Sequence, residues 1–225
     1  MYDRYSFSLP KEKIIRRFEI KVPGTIEPQY NISPGNSVAI ITDLQPRQLT
    51  KAIWGISENR KIPINKVFIK QDTQKTTPQT TQFLTQRCII LADGFYLWKK
   101  VSYKSRIPYR ITLKWNIPFA FAGVWQYESQ NNNQISCAMI TTDANELIAP
   151  ITTKMPLMLP LEQEKIWLQT NTALPEILSL IKPYSSDQLR LFPVSGQINQ
   201  LDMNIPEVTL PSQPTDQFGN YVLFE

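Results

Sequence analysis

The sequence predicts an α+β domain that is mostly β, with a few short helices at its flanks. Two patterns carry that expectation. From Ser37 onward short apolar runs recur, at Val38 to Ile41, Ala52 to Ile56, Cys88 to Leu91, Phe95 to Trp98, Phe119 to Trp125 and Cys137 to Ile140. They are separated by Pro, Gly and Asn clusters, as the strands of a buried sheet are. Helical spacing, by contrast, is confined to a few short segments. With 42% hydrophobic and only 19% charged residues over 225 positions, the chain has enough apolar material to pack an interior and too little charge to stay disordered.

Lys11 to Phe18 carries Ile14, Ile15 and Phe18 at helical spacing behind Pro10, which predicts an amphipathic helix with its Lys and Arg residues facing water. Between the early strands, Gln71 to Thr81 is rich in Gln, Thr and Lys without apolar periodicity and reads as a surface loop or flap. Gln130 to Gln134, centred on three asparagines, reads as a hairpin turn. After Pro160, LEQEKIWLQ sets acids early and Trp167 and Leu168 late, as an amphipathic helix requires. A further helix is expected from Leu174 to Leu180, before Pro183 stops it. The proline-rich tail after Asp202 is expected to wrap the surface as extended chain. No linker interrupts the pattern, so residues 1–225 are expected to form a single domain, with the tail over 203–225.

Composition removes several kinds of chemistry. The chain has no histidine, so neither a histidine-based catalytic triad nor the commonest metal ligand is available; no metal and no cofactor is expected. Cys88 and Cys137 each sit in an apolar run, which suits reduced thiols packed as small hydrophobes. MYDRYSFSLPKEK lacks an apolar signal core, and no stretch of about 18 apolar residues occurs. A cytoplasmic, soluble monomer with no membrane partner is therefore expected. Lys and Arg number 24 against 19 acids, for a net charge of +5 and a pI near 9.1, which permits an anionic partner without demanding one.

Several segments, read in order, resemble the SOS-response-associated peptidase (SRAP) family. They are RYSF near the start, YNISP at Tyr30 to Pro34, IWG at Ile53 to Gly55, RCIILADGFYLW at Arg87 to Trp98, FAFAGVW at Phe119 to Trp125, ITTDANELIAPITTKMPLML at Ile140 to Leu159 and VSGQIN at Val194 to Asn199. Their succession covers about residues 1–202 and is far more specific than any one motif. The resemblance implies a compact, mostly β, SRAP-like fold with a barrel-like sheet core. It also implies a positively charged face that binds single-stranded DNA at abasic sites. In the family a cysteine at position 2, exposed by methionine removal, captures the ring-opened sugar aldehyde as a thiazolidine. The amine forms the imine and the sulfur closes the ring; the same cysteine gives the family its autopeptidase activity. An asparagine, a glutamate in ADGFYEW and a histidine in IHDRMP orient and protonate the reacting groups.

This sequence departs from that pattern residue by residue. Tyr2 stands at the cysteine position, and a side chain of that size blocks the usual removal of Met1. Leu97 replaces the glutamate, and Thr152 replaces the histidine within Ile151 to Pro156. Neither is a proton carrier near neutral pH. Asn65 alone keeps its identity, and Lys66 follows it where an arginine is usual. The four positions Tyr2, Asn65, Leu97 and Thr152 are expected to converge on an inactive site. For DNA contact the resemblance points to Arg4, Pro34, Trp54, Asn65, Lys66 and Lys154, and Lys66, Lys70, Lys99, Lys100 and Lys104 form a loose cluster of cations; an ion pair for Arg4, a turn role for Asn65 and solvated surface positions for the lysines are the competing expectations. For Trp54, core packing is the competing expectation; Phe95, Trp98 and Trp125 are assigned to the core. Three functions remain open from the sequence: noncovalent binding of single-stranded or abasic DNA, abasic-site processing through a Schiff base on Met1 or a pocket lysine, and a protein-interaction module built on the old groove.

Overall fold

The computed structural model describes residues 3–56, 68–70, 85–128, 131–216 and 218–221. The loop expected over Gln71 to Thr81 lies outside them. Two sheets share one core. The first is a closed ring of β3 (Ser37–Thr42), β4 (Thr50–Trp54), β6 (Arg87–Ala92), β9 (Phe119–Glu128) and β10 (Asn131–Asp143). Its strands run β10–β4–β3–β6–β9 and return to β10, and the β4–β10 seam is parallel, with Ser136 opposite Ile53 and Cys137 opposite Trp54. Closure leaves no long apolar edge, which suits strands as hydrophobic as β6, buried along its whole length. At Gly123 the ring is so tight that a Cβ would lie 2.9 Å from the Ala138 carbonyl oxygen and 3.1 Å from Cys88 Sγ, so glycine is required there by contact. Short strands β5 (Phe68–Lys70), β11 (Lys154–Pro156) and β12 (Met158–Leu159) extend the ring at β10 and β9.

The second sheet has the order β13 (Leu189–Pro193), β8 (Arg106–Leu113), β7 (Gly94–Lys100), β1 (Tyr5–Phe7) and β2 (Gln29–Ile32). Side chains alternate across a strand, and β7 uses both faces. Phe95 and Leu97 join Tyr5 and Ile111 in the main core, whereas Tyr96 packs with Val194, Ile198 and Val208 in a smaller cluster on the far side. That far side is covered by two 3-10 turns, Gly196–Asn199 and Pro206–Thr209.

Among the described residues three helices flank the sheets: α1 (Lys11–Phe18), α2 (Leu161–Leu168) and α3 (Leu174–Ser179). Pro10 and Pro160 start the first two, and Pro175 lies in the first turn of the third, where a missing N–H costs nothing. Glu19 ends α1 in the left-handed region at φ 53°. Arg87, at the head of β6, is fully buried and donates from Nε to the Trp167 carbonyl at 2.5 Å and from Nη2 to the Gln169 carbonyl at 2.6 Å. A cation thereby meets the carbonyl end of α2, where the helix dipole is negative.

The expected strands and helices are present, and one expectation is corrected. β9 and β10 pair antiparallel across the asparagine cluster as the expected hairpin does, with Asn131 opposite Glu128 and Ile135 opposite Tyr127, so the register shifts between them; Gln130 lies outside the described residues. The tail is not uniformly extended. Its 3-10 turn buries Val208, Pro211 bridges Val194, and Asp216 is only 2% exposed. Strands β1, β2, β8 and β13 were not anticipated from apolar runs, because β1 and β2 are short and carry polar residues and Arg106, Arg110 and Arg190 interrupt β8 and β13. Among the described residues no helix is long and apolar enough to cross a membrane.

Candidate nucleic-acid interface

The start of the chain is laid directly along the ADGFYLW strand. Tyr5 lies opposite Phe95, Ser6 opposite Gly94, and the Tyr96 N–H donates to the Arg4 carbonyl at 3.0 Å. One carboxylate ties this arrangement together. Asp93 accepts from the Ser6 hydroxyl at 2.5 Å, the Ser8 N–H at 2.5 Å, the Ser8 hydroxyl at 2.8 Å and Arg110 Nη2 at 2.8 Å. A Cβ at Gly94 would lie 2.5 Å from Arg110 Nε, so a side chain there would push the guanidinium away from Asp93. The acid in ADGF is thus the anchor of the N-terminal strand. An acid inside an apolar run was the available signal, and reading the motif for its glutamate position passed over it.

Arg4 sits where three distant segments meet. Its Nη1 donates to Asn31 Oδ1 at 3.1 Å and to the Ile198 carbonyl at 3.2 Å, while Asn31 Nδ2 donates to the carbonyls of Ile198 at 3.3 Å and Gln200 at 2.8 Å. Asn31 is buried and Arg4 half-buried; Arg4 Nε has no hydrogen-bond partner among the described residues. Burial lowers the Arg4 pKa against an opposing effect of Asp3, yet a guanidinium stays charged at any ordinary pH. YNISP and VSGQIN therefore hold one arginine in place.

The remaining expected residues are distributed differently. Leu97 is 2% exposed and faces the main core from β7, opposite Tyr109. Thr152 is half-buried in the turn before β11, its N–H donating to the Ile148 carbonyl at 3.2 Å. Lys154 begins β11 and pairs with Asp143 at 2.6 Å in solvent, a contact of little energetic weight. Pro34 is half-buried in the β2–β3 turn. Tyr2, Asn65 and Lys66 lie outside the described residues.

Trp54, expected among the DNA-contacting residues, is core instead. At 1% exposure it packs edge-to-face on Tyr5, ring centroids 5.2 Å apart, and offers no face on which a base could stack. Phe95 and Trp125 are likewise buried. Trp98 is half-buried on the outer face of β7, its indole N–H donating to Asn199 Oδ1 at 2.8 Å. Cys88 and Cys137 are fully buried, and burial pushes both thiols well above their ordinary range. The described residues contain no group of three or more His, Cys, Asp or Glu side chains placed to hold a metal.

A closed β-ring shares its core with a second sheet, in which Tyr5 and Ser6 pair along the ADGF strand. The profile of the SOS response associated peptidase (SRAP) family matches residues 1–201, and the chain belongs to that family. Abasic site processing protein YoqW of Bacillus subtilis (strain 168) is 34% identical over 220 residues, covering 92% of this chain and 98% of the relative. Abasic site processing protein HMCES of Mus musculus is 25% identical over 233 residues, covering 82% of this chain and 65% of the relative. In three dimensions a crystal structure of a protein from Bacteroides thetaiotaomicron superposes with a TM-score of 0.82 at 22% identity, covering 93% of this chain and 99% of the other. That last likeness concerns the fold alone.

Proposed function

We propose that this protein binds single-stranded DNA, abasic sites included, without forming a lasting covalent bond to it. Membership of the family and the names of its relatives support DNA as the partner. The observation that carries the noncovalent part is the sulfur inventory. The chain has two cysteines, neither at position 2, and both are sealed in the core with their thiolates disfavoured. Only a thiolate attacks efficiently, so no group is at hand to close a thiazolidine ring. An amine alone gives an imine that water reverses. The glutamate position supports the same reading, because Leu97 lies in the apolar core and exchanges no proton.

Binding itself requires cations aimed at phosphates and does not need the lost groups. Arg4 in its clamp, Pro34 on the neighbouring turn, Asn65, Lys66 and Lys154 remain the contacts assigned to it, with Trp54 withdrawn. Fluorescence anisotropy with a labelled abasic oligonucleotide at several salt concentrations tests the binding. A denaturing gel of the same mixture, with and without borohydride, tests the chemistry. Salt-weakened binding with no heat-stable conjugate and no borohydride-trapped adduct is the expected result. A heat-stable conjugate would overturn the noncovalent reading, a borohydride-dependent adduct would establish Schiff-base processing instead, and absence of binding at micromolar protein would remove DNA as the partner.

A further inference from the structure

We propose that the tip of the β7–β8 hairpin, together with the loop around Asp216, forms a stacking and phosphate-binding platform that lengthens the single-strand footprint beyond Arg4. The inference rests on the DNA-binding reading above and adds to it a second contact surface.

Lys99 to Arg106 reads KKVSYKSR, with four cations and no acid. The strands pair up to Lys100 opposite Arg106, and the Val101 N–H donates to the Ser105 carbonyl at 3.0 Å, so the tip is a closed, hydrogen-bonded turn. At its apex Tyr103 is 89% exposed, with Lys100 Nζ 5.7 Å from the ring centroid. The Ser105 hydroxyl then donates to Asp216 Oδ2 at 2.9 Å, fastening the hairpin to the C-terminal loop. Asp216 Oδ1 in turn accepts the N–H groups of Phe218 and Asn220, each at 2.9 Å, and the rings of Phe218 and Tyr221 stand 69% and 74% exposed.

Aromatic rings normally contribute by being buried. Here three of them stay in water on backbone that is pinned by a buried carboxylate, beside side chains of one charge sign. Flat apolar faces interleaved with cations match the alternation of bases and phosphates in a single strand, and such stacking tolerates any base sequence. A protein partner is less well matched, since Val101 is the one aliphatic side chain between Lys99 and Arg106. The position also fits. From Tyr96, whose N–H holds the Arg4 carbonyl, β7 runs four residues to Lys100, about 13 Å of extended chain, within reach of one continuous strand. Phe218 and Tyr221 lie beyond the residues matched by the family profile.

The test is anisotropy with fluorescein-labelled oligothymidylates of about six and about 20 nucleotides, since single-strand sites span roughly 4–16 nucleotides per fold. Tyr103→Ala combined with Phe218→Ala is expected to weaken the long strand by on the order of tenfold and the short one much less. Lys100→Glu with Lys104→Glu should flatten the dependence of affinity on salt. Arg4→Ala should weaken both lengths. All replaced hairpin side chains are exposed or on the tip, and unchanged thermal melting establishes that each variant folds. If the aromatic double variant binds the long strand as the wild type does, the platform is refuted while the Arg4 reading stands. If the wild type binds neither strand, both fall.

Discussion

Replacing Asp93 with alanine removes the acceptor that holds the beginning of the chain against β7. The carboxylate is 5% exposed and its Arg110 partner 11% exposed, so this is a buried pair, and deleting one member of such a pair costs about 3–5 kcal/mol because the other charge is left uncompensated. The Ser6 hydroxyl, the Ser8 N–H and the Ser8 hydroxyl lose the same acceptor. Each such hydrogen bond is worth about 0.5–1.5 kcal/mol net, although the losses overlap because solvent reaches the space left behind. A total near 4 kcal/mol follows, a large part of the roughly 5–15 kcal/mol by which domains are stable. For a chain of this size that corresponds to a fall in Tm of about 8–16 °C. Urea denaturation followed by tryptophan fluorescence measures it directly, provided the m-value is unchanged. Asp93→Asn, which keeps one acceptor, should lose about half as much. Adding Arg110→Met to Asp93→Ala should recover part of the loss, since an apolar replacement of both members leaves no buried charge without its counterpart. A stability within about 1 kcal/mol of wild type for Asp93→Ala would refute the assignment of this carboxylate as the anchor of β1.

Other outcomes follow from the same structure. Cys88 and Cys137 should resist alkylation in the native protein at pH 8 and react at once in urea, as mass spectrometry would show; rapid native labelling of either would remove the sulfur argument. Gly123→Ala places a methyl group 2.9 Å from the Ala138 carbonyl oxygen and should cost about 1–3 kcal/mol by overpacking, read as a lowered denaturation midpoint. Burial raises the phenol pKa of Tyr5 and of Tyr96, so in the folded state both keep their protons at a pH where the unfolded chain loses them. Their contribution is complete below about pH 9 and declines as pH rises past 10, by up to about 1.4 kcal/mol per unit for each group. Urea midpoints between pH 8 and pH 11, with tyrosinate absorbance as the companion measurement, should fall accordingly; a constant midpoint would contradict the burial.

Strongly periodic elements were legible before the structure. The run Cys88 to Leu91 is buried throughout because it lies in the middle of the closed ring, and α1 begins and ends at the residues that Pro10 and the apolar spacing indicate. The second sheet was not legible in the same way. Its strand Arg106–Leu113 carries Arg110, whose charge disguises a strand until Asp93 is seen to neutralise it. Trp54 shows the reverse problem: a motif position suggested an exposed stacking surface, and the neighbouring Tyr5 ring takes that place.

Residue order and composition were sufficient for the fold class, the family and the absence of a cysteine at position 2, because each depends on which side chains are present and in what succession. Three dimensions were needed for the Arg4 clamp, the Asp93 anchor and the exposure of Tyr103, Phe218 and Tyr221. Arg4 and Ile198, or Ser105 and Asp216, are separated by 194 and 111 positions; no local pattern records such pairs, and only the folding of the C-terminal turns and loop against the second sheet brings their donors and acceptors within hydrogen-bonding distance.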